Sequence, residues 1–429
     1  MCSKTVERIR WILLGIFVIL LPWTKLELVE RFAASEIVFL ALVLSYGTHW
    51  PGWAKRFWHD RTLRTFAVLL LLWVIACGVS GVVIQRDADA VKLFGGFVYL
   101  AALSLFVSMI SSRSEGDLEA VTSWSEAMLA ISALAIVGGS LAFLWYAAHP
   151  IPDSQYNFGS LFFSRSEKLI GPFERSNQLA GFIVMFAPLA YELALSQTKR
   201  SRQAVYGGGL VLMLVGLVMT ASRAGFLSLG ACALLYIPIL ILRKRYRALV
   251  IMLQVLMIGT ALLLVLSGLW PGVSRIVTSF DDVVAAGQIT DGFRLRNWSQ
   301  AIHAFLESPL HGIGLTQFDV RYQHEVHNTL LAVLAEMGLI GFLPFLSTIV
   351  FIGVLAIRNV VRASRWNRRW MPWCWGLLMG MAAEFIFATQ HVMHRSRHIW
   401  LAFGLVVALS ITLKRRKEEE VGTQSRHAV

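Results

Sequence analysis

Charge is scarce in this sequence: only 15% of its 429 residues are Asp, Glu, Lys or Arg. A soluble domain carries about a quarter. That shortfall excludes an ordinary soluble enzyme. Cysteine is rarer still, and the four present (Cys2, Cys77, Cys232 and Cys374) are scattered and form no CxxC pair. A disulfide scaffold and a thiolate metal site are therefore excluded, and structural thiols remain. Eleven prolines are too few for a collagen-like or proline-rich disordered chain. Alternating segments of about ten residues are missing, which argues against a porin-like barrel. No internal repeat relates one half of the chain to the other, contrary to what a major-facilitator transporter shows.

What is abundant is apolar sequence, at 56% of all residues. It recurs in runs of about twenty residues, long enough to cross a bilayer as helix. Twelve such segments can be drawn, near 10–23, 33–48, 65–84, 92–111, 125–147, 177–197, 204–221, 223–242, 248–269, 335–357, 371–390 and 398–413. The first two are the shortest. The expected fold is an all-α polytopic membrane protein of about twelve transmembrane helices. The basic start followed by an apolar stretch reads as a retained first helix.

Basic residues outnumber acidic ones, 39 to 26, for a formal net charge of +13. On a soluble chain this excess suggests nucleic acid. On a membrane chain it reports orientation and anionic lipid instead, so no nucleic-acid partner is expected. With the N-terminus in the cytoplasm, the dense clusters all fall on that side, among them Arg243–Arg247, Arg358–Arg369 and Lys414–Lys417. Both termini are then cytoplasmic. The expected division is residues 1–269 as spans one to nine, with an outer loop at 148–176. A large outer loop follows at 270–334, then spans ten to twelve at 335–413 and a charged tail at 414–429. Within the large loop, RLRNWSQAIHAFLESPLHGIG reads as an amphipathic helix. Trp298, Ile302, Phe305 and Leu306 lie near one face, and Pro309 and Gly312 end it.

Against the usual bias, several cations remain on the outer side: Arg165, Lys168, Arg175, Arg223, Arg275, Arg294, Arg296, Arg321, Arg395 and Arg397. Singly, each reads as loop charge or snorkelling from a helix end. As a set they suit a bound anion, because guanidinium forks match phosphate oxygens bidentately. Convergence of Arg175, Arg223, Arg294 and Arg296 would hold a lipid-linked diphosphate and stabilise it as a leaving group.

His327 and Asn328 stand where the large loop returns to apolar sequence. The apolar stretch from there to 357 would measure ~46 Å as straight helix, more than the ~30 Å hydrocarbon core. Gly338, Gly341 and Pro344 are interruption points, so 327–337 is expected to form a separate short helix. His327 reads equally as a general base for a sugar hydroxyl or as a histidine satisfying a helix start. Glu336 reads as a functional intramembrane acid or as a buried partner for an arginine. His324–His327 and His391–His394 have HxxH spacing but no convincing third ligand, and no DxD pair is present. Neither metal nor cofactor is therefore expected.

The same segments carry a resemblance. GPF–x–x–x–Asn–x–x–Ala–Gly (Asn177, Ala180, Gly181) is followed by T–x–S–R (Thr220, Ser222, Arg223) and by Arg294–x–x–x–Trp298. Then come SPLHGIGLTQF, His327–Asn328 and Glu336–x–Gly338–x–x–Gly341. In this order they resemble the O-antigen ligase/polymerase superfamily of bacterial envelope proteins, in detail over about 165–345, and the ligases best. The resemblance implies a GT-C-like, metal-independent, inverting glycosyltransferase of the bacterial inner membrane, with its active site facing the periplasm. It would move polysaccharide from undecaprenyl pyrophosphate to lipid A–core. His327 would be the general base, and Arg223 and Arg294 the diphosphate contacts. Arg175, Asn177 and Asn328 are carried over with their motifs; Arg296, Arg395 and Arg397 are added from charge and side. The acceptor stays open: an O-antigen polymerase or a protein O-oligosaccharyltransferase would use the same donor. A lipid or polysaccharide transporter is the alternative of another class; it predicts polar residues at mid-membrane depth, whereas here they collect at one face.

Overall fold

The computed structural model describes residues 2–24, 27–29, 32–148, 168–269 and 292–427. Much of both expected outer loops, with Arg165 and Arg275, lies outside these. The regular secondary structure of the described residues is helical except for one two-stranded antiparallel ribbon, Glu27–Val29 against Phe32–Ala33. Among the described residues, ten helices are long and apolar enough to cross a membrane. The chain is a multi-pass membrane protein.

The helices run in chain order as α1 (Cys2–Leu20), α2 (Ala34–Ser45), α3 (Trp50–His59), α4 (Arg61–Gly78), α5 (Ala88–Ser111) and α6 (Glu115–Ala148). They continue as α7 (Ser176–Ser196), α8 (Arg200–Met219), α9 (Arg223–Leu242) and α10 (Tyr246–Leu269). The large loop holds α11 (Gly292–Glu307) and α12 (Gln317–Tyr322) before α13 (Thr329–Trp366), α14 (Met371–Ala388) and α15 (Arg397–His427). Caps set several starts: the Asp60 carboxylate accepts from the N–H groups of Thr62 and Leu63 at 2.8 and 3.0 Å. Such side chains satisfy donors that have no partner within the helix.

Two expectations need correction. The second apolar segment is a helix of only 12 residues, ~18 Å long, so α2 falls short of a full crossing by itself. The loop helix forms, but its buried face is Asn297, Ala301 and Ala304, while Ile302 and Leu306 are exposed. Small residues win there because α11 lies close against α13, packing on Ala332, Ala335 and Phe318.

The centre of the bundle is α7, buried along most of its length. It meets α14 through Gly376 and Gly380, where a Cβ would strike the Leu189 and Met185 backbones. Close backbone approach through small residues is how helices gain contact in lipid. By contrast α10 is buried over only a small part of its apolar surface, as a lipid-facing helix should be.

The expected interruption is observed. Gly338 has φ +58° and ψ −159°, so α13 is two helices joined at a kink, the first being the short segment expected at 327–337. The kink frees backbone groups, and SPLHGIG supplies their partners. Ile313 N–H donates to the Ala335 carbonyl at 2.9 Å and Gly314 N–H to that of Glu336 at 3.1 Å. In return Leu339 N–H reaches Pro309 O at 2.9 Å and Ile340 N–H reaches Leu310 O at 3.0 Å. At Gly312 and Gly338 a side chain would overlap the opposite backbone, which explains both glycines.

Candidate active site

The end of α1, the start of α7, the approach to α13 and the α14–α15 turn meet at one end of the bundle. They enclose a cavity of about 380 Å³. His327, Arg175, Asn177, Arg395 and Arg397 line it together. These are five of the side chains singled out from sequence, drawn from positions 175 to 397.

Each cavity arginine is held by one carboxylate. Arg175 pairs with Glu325, whose backbone carbonyl accepts from Asn297 Nδ2 at 3.1 Å. Arg397 donates to Glu36 Oε1 at 2.6 Å and to Ser35 Oγ at 2.9 Å, at the start of α2. Arg395 lies 3.5 Å from Glu336 Oε2, and its Nε is buried without a hydrogen-bond partner. Glu336 also accepts from the backbone N–H groups of Thr316 and Phe318. Of the two readings of Glu336, the geometry realises the arginine partner. A guanidinium has five N–H donors, so one carboxylate leaves donors over for a ligand.

His327 adopts a left-handed backbone, φ +53°, immediately before the N-cap of α13. Its Nδ1 is buried and unpaired. Burial pushes its pKa below the usual imidazole value, and the Arg294, His324 and Arg175 charges push the same way, while Glu325 opposes them. The imidazole is therefore neutral near pH 7, with a lone pair available to accept a proton. His391 stands edge-on to it at 5.9 Å between ring centres, and burial holds that histidine's pKa down to about 3.

The remaining sequence candidates are placed differently. Arg294 donates to Gln390 Oε1 at 2.5 Å and acts electrostatically on both His327 and His391, so it stands beside the cavity. Arg296 lies over the Phe293 ring at 5.5 Å, and that ring is 6.3 Å from His327. Asn328 caps α13, its Oδ1 accepting from Leu331 N–H at 3.0 Å, and does not line the cavity. Nor does Arg223, half-buried in the first turn of α9. Its helix nevertheless starts beside α7: a Cβ on Gly225 would lie 3.6 Å from that of Ala180. The HxxH spacings do not pair up: His324 bonds Gln300 Oε1 at 3.0 Å, and His394 is stacked on Phe97. Among the described residues no three His, Cys, Asp or Glu side chains cluster for a metal ion.

Residues 208–346 match the family described as O-antigen ligase. The matched stretch is about a third of the chain. This match supports a member of the O-antigen ligase/polymerase superfamily, a family that implies a glycosyltransferase-like enzyme of O-antigen assembly and lipid-linked polysaccharide substrates. No curated protein matches the chain. The O-antigen ligase match takes in His327, Glu325, Glu336 and the kink. Arg175, Asn177, Arg395 and Arg397 lie outside it, and the fold alone brings them to His327.

Sequence reasoning passed over Glu325 and Gln390, and took His391 only as half of a metal pair. HVMHRSR, with two histidines and two arginines between apolar spans, was the available signal. His398, which also lines the cavity, gave none beyond being a polar residue at a span's start.

Proposed function

We propose that this protein is an O-antigen ligase. It moves polysaccharide from undecaprenyl pyrophosphate to lipid A–core at the periplasmic face of the bacterial inner membrane. The observation that carries this reading is the shared cavity, which the neutral imidazole of His327 lines together with Arg175, Arg395 and Arg397. His327 takes the proton of an acceptor sugar hydroxyl. That oxygen forms a bond to the anomeric carbon as the bond from this carbon to the diphosphate oxygen breaks. The electron pair leaves with the diphosphate, and the arginines stabilise the charge. Attack opposite the leaving group inverts the anomeric centre. Arg294 and Arg296 extend the cationic rim, Arg223 meets the donor from the α9 side, and Asn177 and Asn328 position sugar or phosphate.

We take the fold to be GT-C-like, with the large loop at 270–334 as an outer subdomain. Both α1 and α15 have their far ends opposite the cavity, which suits termini in the cytoplasm and a site in the periplasm. The arginines supply the positive charge that a divalent ion would otherwise bring, so EDTA should leave transfer intact.

The deciding experiment reconstitutes the full chain with polymer-loaded undecaprenyl pyrophosphate. Lipid A–core and a second lipid-linked repeat compete as acceptors. Polymer-capped lipid A–core supports the ligase. Lengthened lipid-linked polymer identifies a polymerase instead, and no product with either acceptor ends the reading.

A further inference from the structure

Helix α11 presents three distinct faces. At ~100° per residue, the buried Asn297, Ala301 and Ala304 share the face that packs on α13. Leu295, Ile302 and Leu306 lie roughly 150° around from it and are exposed. Arg296, His303 and Glu307, also exposed, form a polar strip between the two. Opposite that polar strip stand Trp298 and Phe305, both half-buried. The apolar strip continues past the end of the helix into Leu310, which is 64% exposed.

What covers this strip follows from where it leads. Leu310 O accepts from Ile340 N–H at 3.0 Å, so the strip ends against the second half of α13, just past the kink. That half displays Ile340, Leu343, Val350, Val354 and Ile357 outward on one face, as a spanning helix does toward lipid. Residues 339–357 carry no charge and measure ~28 Å as helix, close to the ~30 Å hydrocarbon core. Ile340 then stands at the edge of the hydrocarbon, and Leu310 stands at the same level. The two exposed strips of α11 fix its direction. Both run along the helix, over ~16 Å from Leu295 to Leu306. An upright α11 would either carry apolar side chains out into water or draw Arg296 or Glu307 into lipid. A flat one serves both strips at once.

We propose that α11 is an interfacial anchor, lying in the plane of the bilayer in the leaflet on the cavity side. Leu295, Ile302, Leu306 and Leu310 enter the acyl chains, Arg296 and His303 turn to the headgroups, and α13 packs on the opposite flank. Arg294, on the same helix, bonds Gln390 beside the cavity. The anchor thus holds the cavity mouth at headgroup depth, where a lipid-borne phosphate lies. The test uses the full chain with Cys2→Ser, since Cys77, Cys232 and Cys374 are buried. Leu295→Cys, Ile302→Cys, Leu306→Cys and, as the polar control, His303→Cys are each spin-labelled in nanodiscs of phosphatidylethanolamine and phosphatidylglycerol. Relaxation by oxygen and by a water-soluble nickel chelate then reports depth. The labels at 295, 302 and 306 should favour oxygen and share a depth of about 5–10 Å below the phosphates, while the label at 303 favours the chelate. Depths that differ by ~16 Å between 295 and 306 would stand the helix upright and overturn the proposal. Chelate access at 302 and 306 equal to that at 303 would overturn it too, because the strip would face water. So would labels that neither reagent reaches, or that couple between copies, since a protein surface or a second copy would then be the occupant. No turnover is measured, so failure of the ligase reading leaves the anchor standing, and an exposed strip leaves the ligase reading untouched.

Discussion

On the proposed reading His327 carries the chemistry, and its backbone dictates how that should be tested. At φ +53° it occupies the left-handed region, which costs most non-glycine residues about 1–2 kcal/mol. Asparagine tolerates that region and glycine prefers it. His327→Asn and His327→Gly therefore remove the imidazole while keeping the turn into α13. His327→Ala removes it and adds strain of about 1 kcal/mol. A positioned general base contributes typically 10²–10⁴-fold, or about 3–5 kcal/mol of barrier. All three variants should lose transfer to that extent in single-turnover assays in proteoliposomes. Melting should single out the alanine variant as the least stable. If the glycine variant keeps its rate within about threefold, His327 is not the base, whatever the cavity looks like.

The pH profile tests the same claim. The active form of a base is deprotonated, so kcat/KM should rise with pH along one acid limb and then level off. Because burial and the Arg294 and Arg175 charges depress the His327 pKa, that limb should fall below the ordinary imidazole value of 6.5. Glu325 opposes the shift, so Glu325→Gln should move the limb to still lower pH. Arg294 promotes it, so Arg294→Gln should move the limb upward. A limb that ignores both substitutions belongs to another group.

Replacing Arg395 or Arg294 by lysine keeps the charge and loses the planar fork, and should raise the KM for donor about tenfold with little change for acceptor. Equal loss for both substrates would mean a structural role. Gly338→Ala should cost at least about 3 kcal/mol in melting experiments, since its Cβ would lie 2.5 Å from Leu310 O; an unchanged melting temperature would refute the docking of SPLHGIG on the kink. His391 and His394 sit in the α14–α15 turn with pKa values depressed by burial, His391 to about 3. Their stabilising contribution is complete above the unfolded value of 6.5 and is lost as pH falls below it. Thermal stability should therefore drop from pH 7 to 5, less steeply in His394→Phe, which keeps the stack on Phe97.

The spans were legible because they rest on a local pattern, the hydrophobic length of each helix. The kink was legible too, since an apolar run too long for the bilayer must break and Gly338 is where it can. The buried face of α11 was not. Amphipathicity read from Ile302 and Leu306 assumes that large apolar residues face inward. Near a membrane surface that assumption fails, because lipid is also an apolar neighbour and close helix packing favours alanine. Asn328 illustrates a different limit. A polar residue before an apolar run is as good a cap as it is a ligand, and only its bond to Leu331 N–H distinguishes them.

The arginines show why convergence is invisible in one dimension. Three guanidinium groups around one cavity repel one another, and partial burial strengthens that repulsion. The chain offsets it with carboxylates from elements far apart in sequence: Glu36 from the start of α2, Glu325 from the approach to α13, Glu336 from its first turns. None of the three is adjacent to its arginine, so no spacing rule finds them. Yet the balance they strike is what an anion-handling site needs. A lone arginine so placed would be destabilised until ligand arrived, and one fully satisfied by carboxylates would have no donors left. One carboxylate per guanidinium keeps each side chain in place with donors to spare, as the unpartnered Nε of Arg395 shows. On the proposed reading, a diphosphate entering this ring need not displace the acids. It needs only the unused donors, and its additional charge relieves the repulsion that remains among the cations.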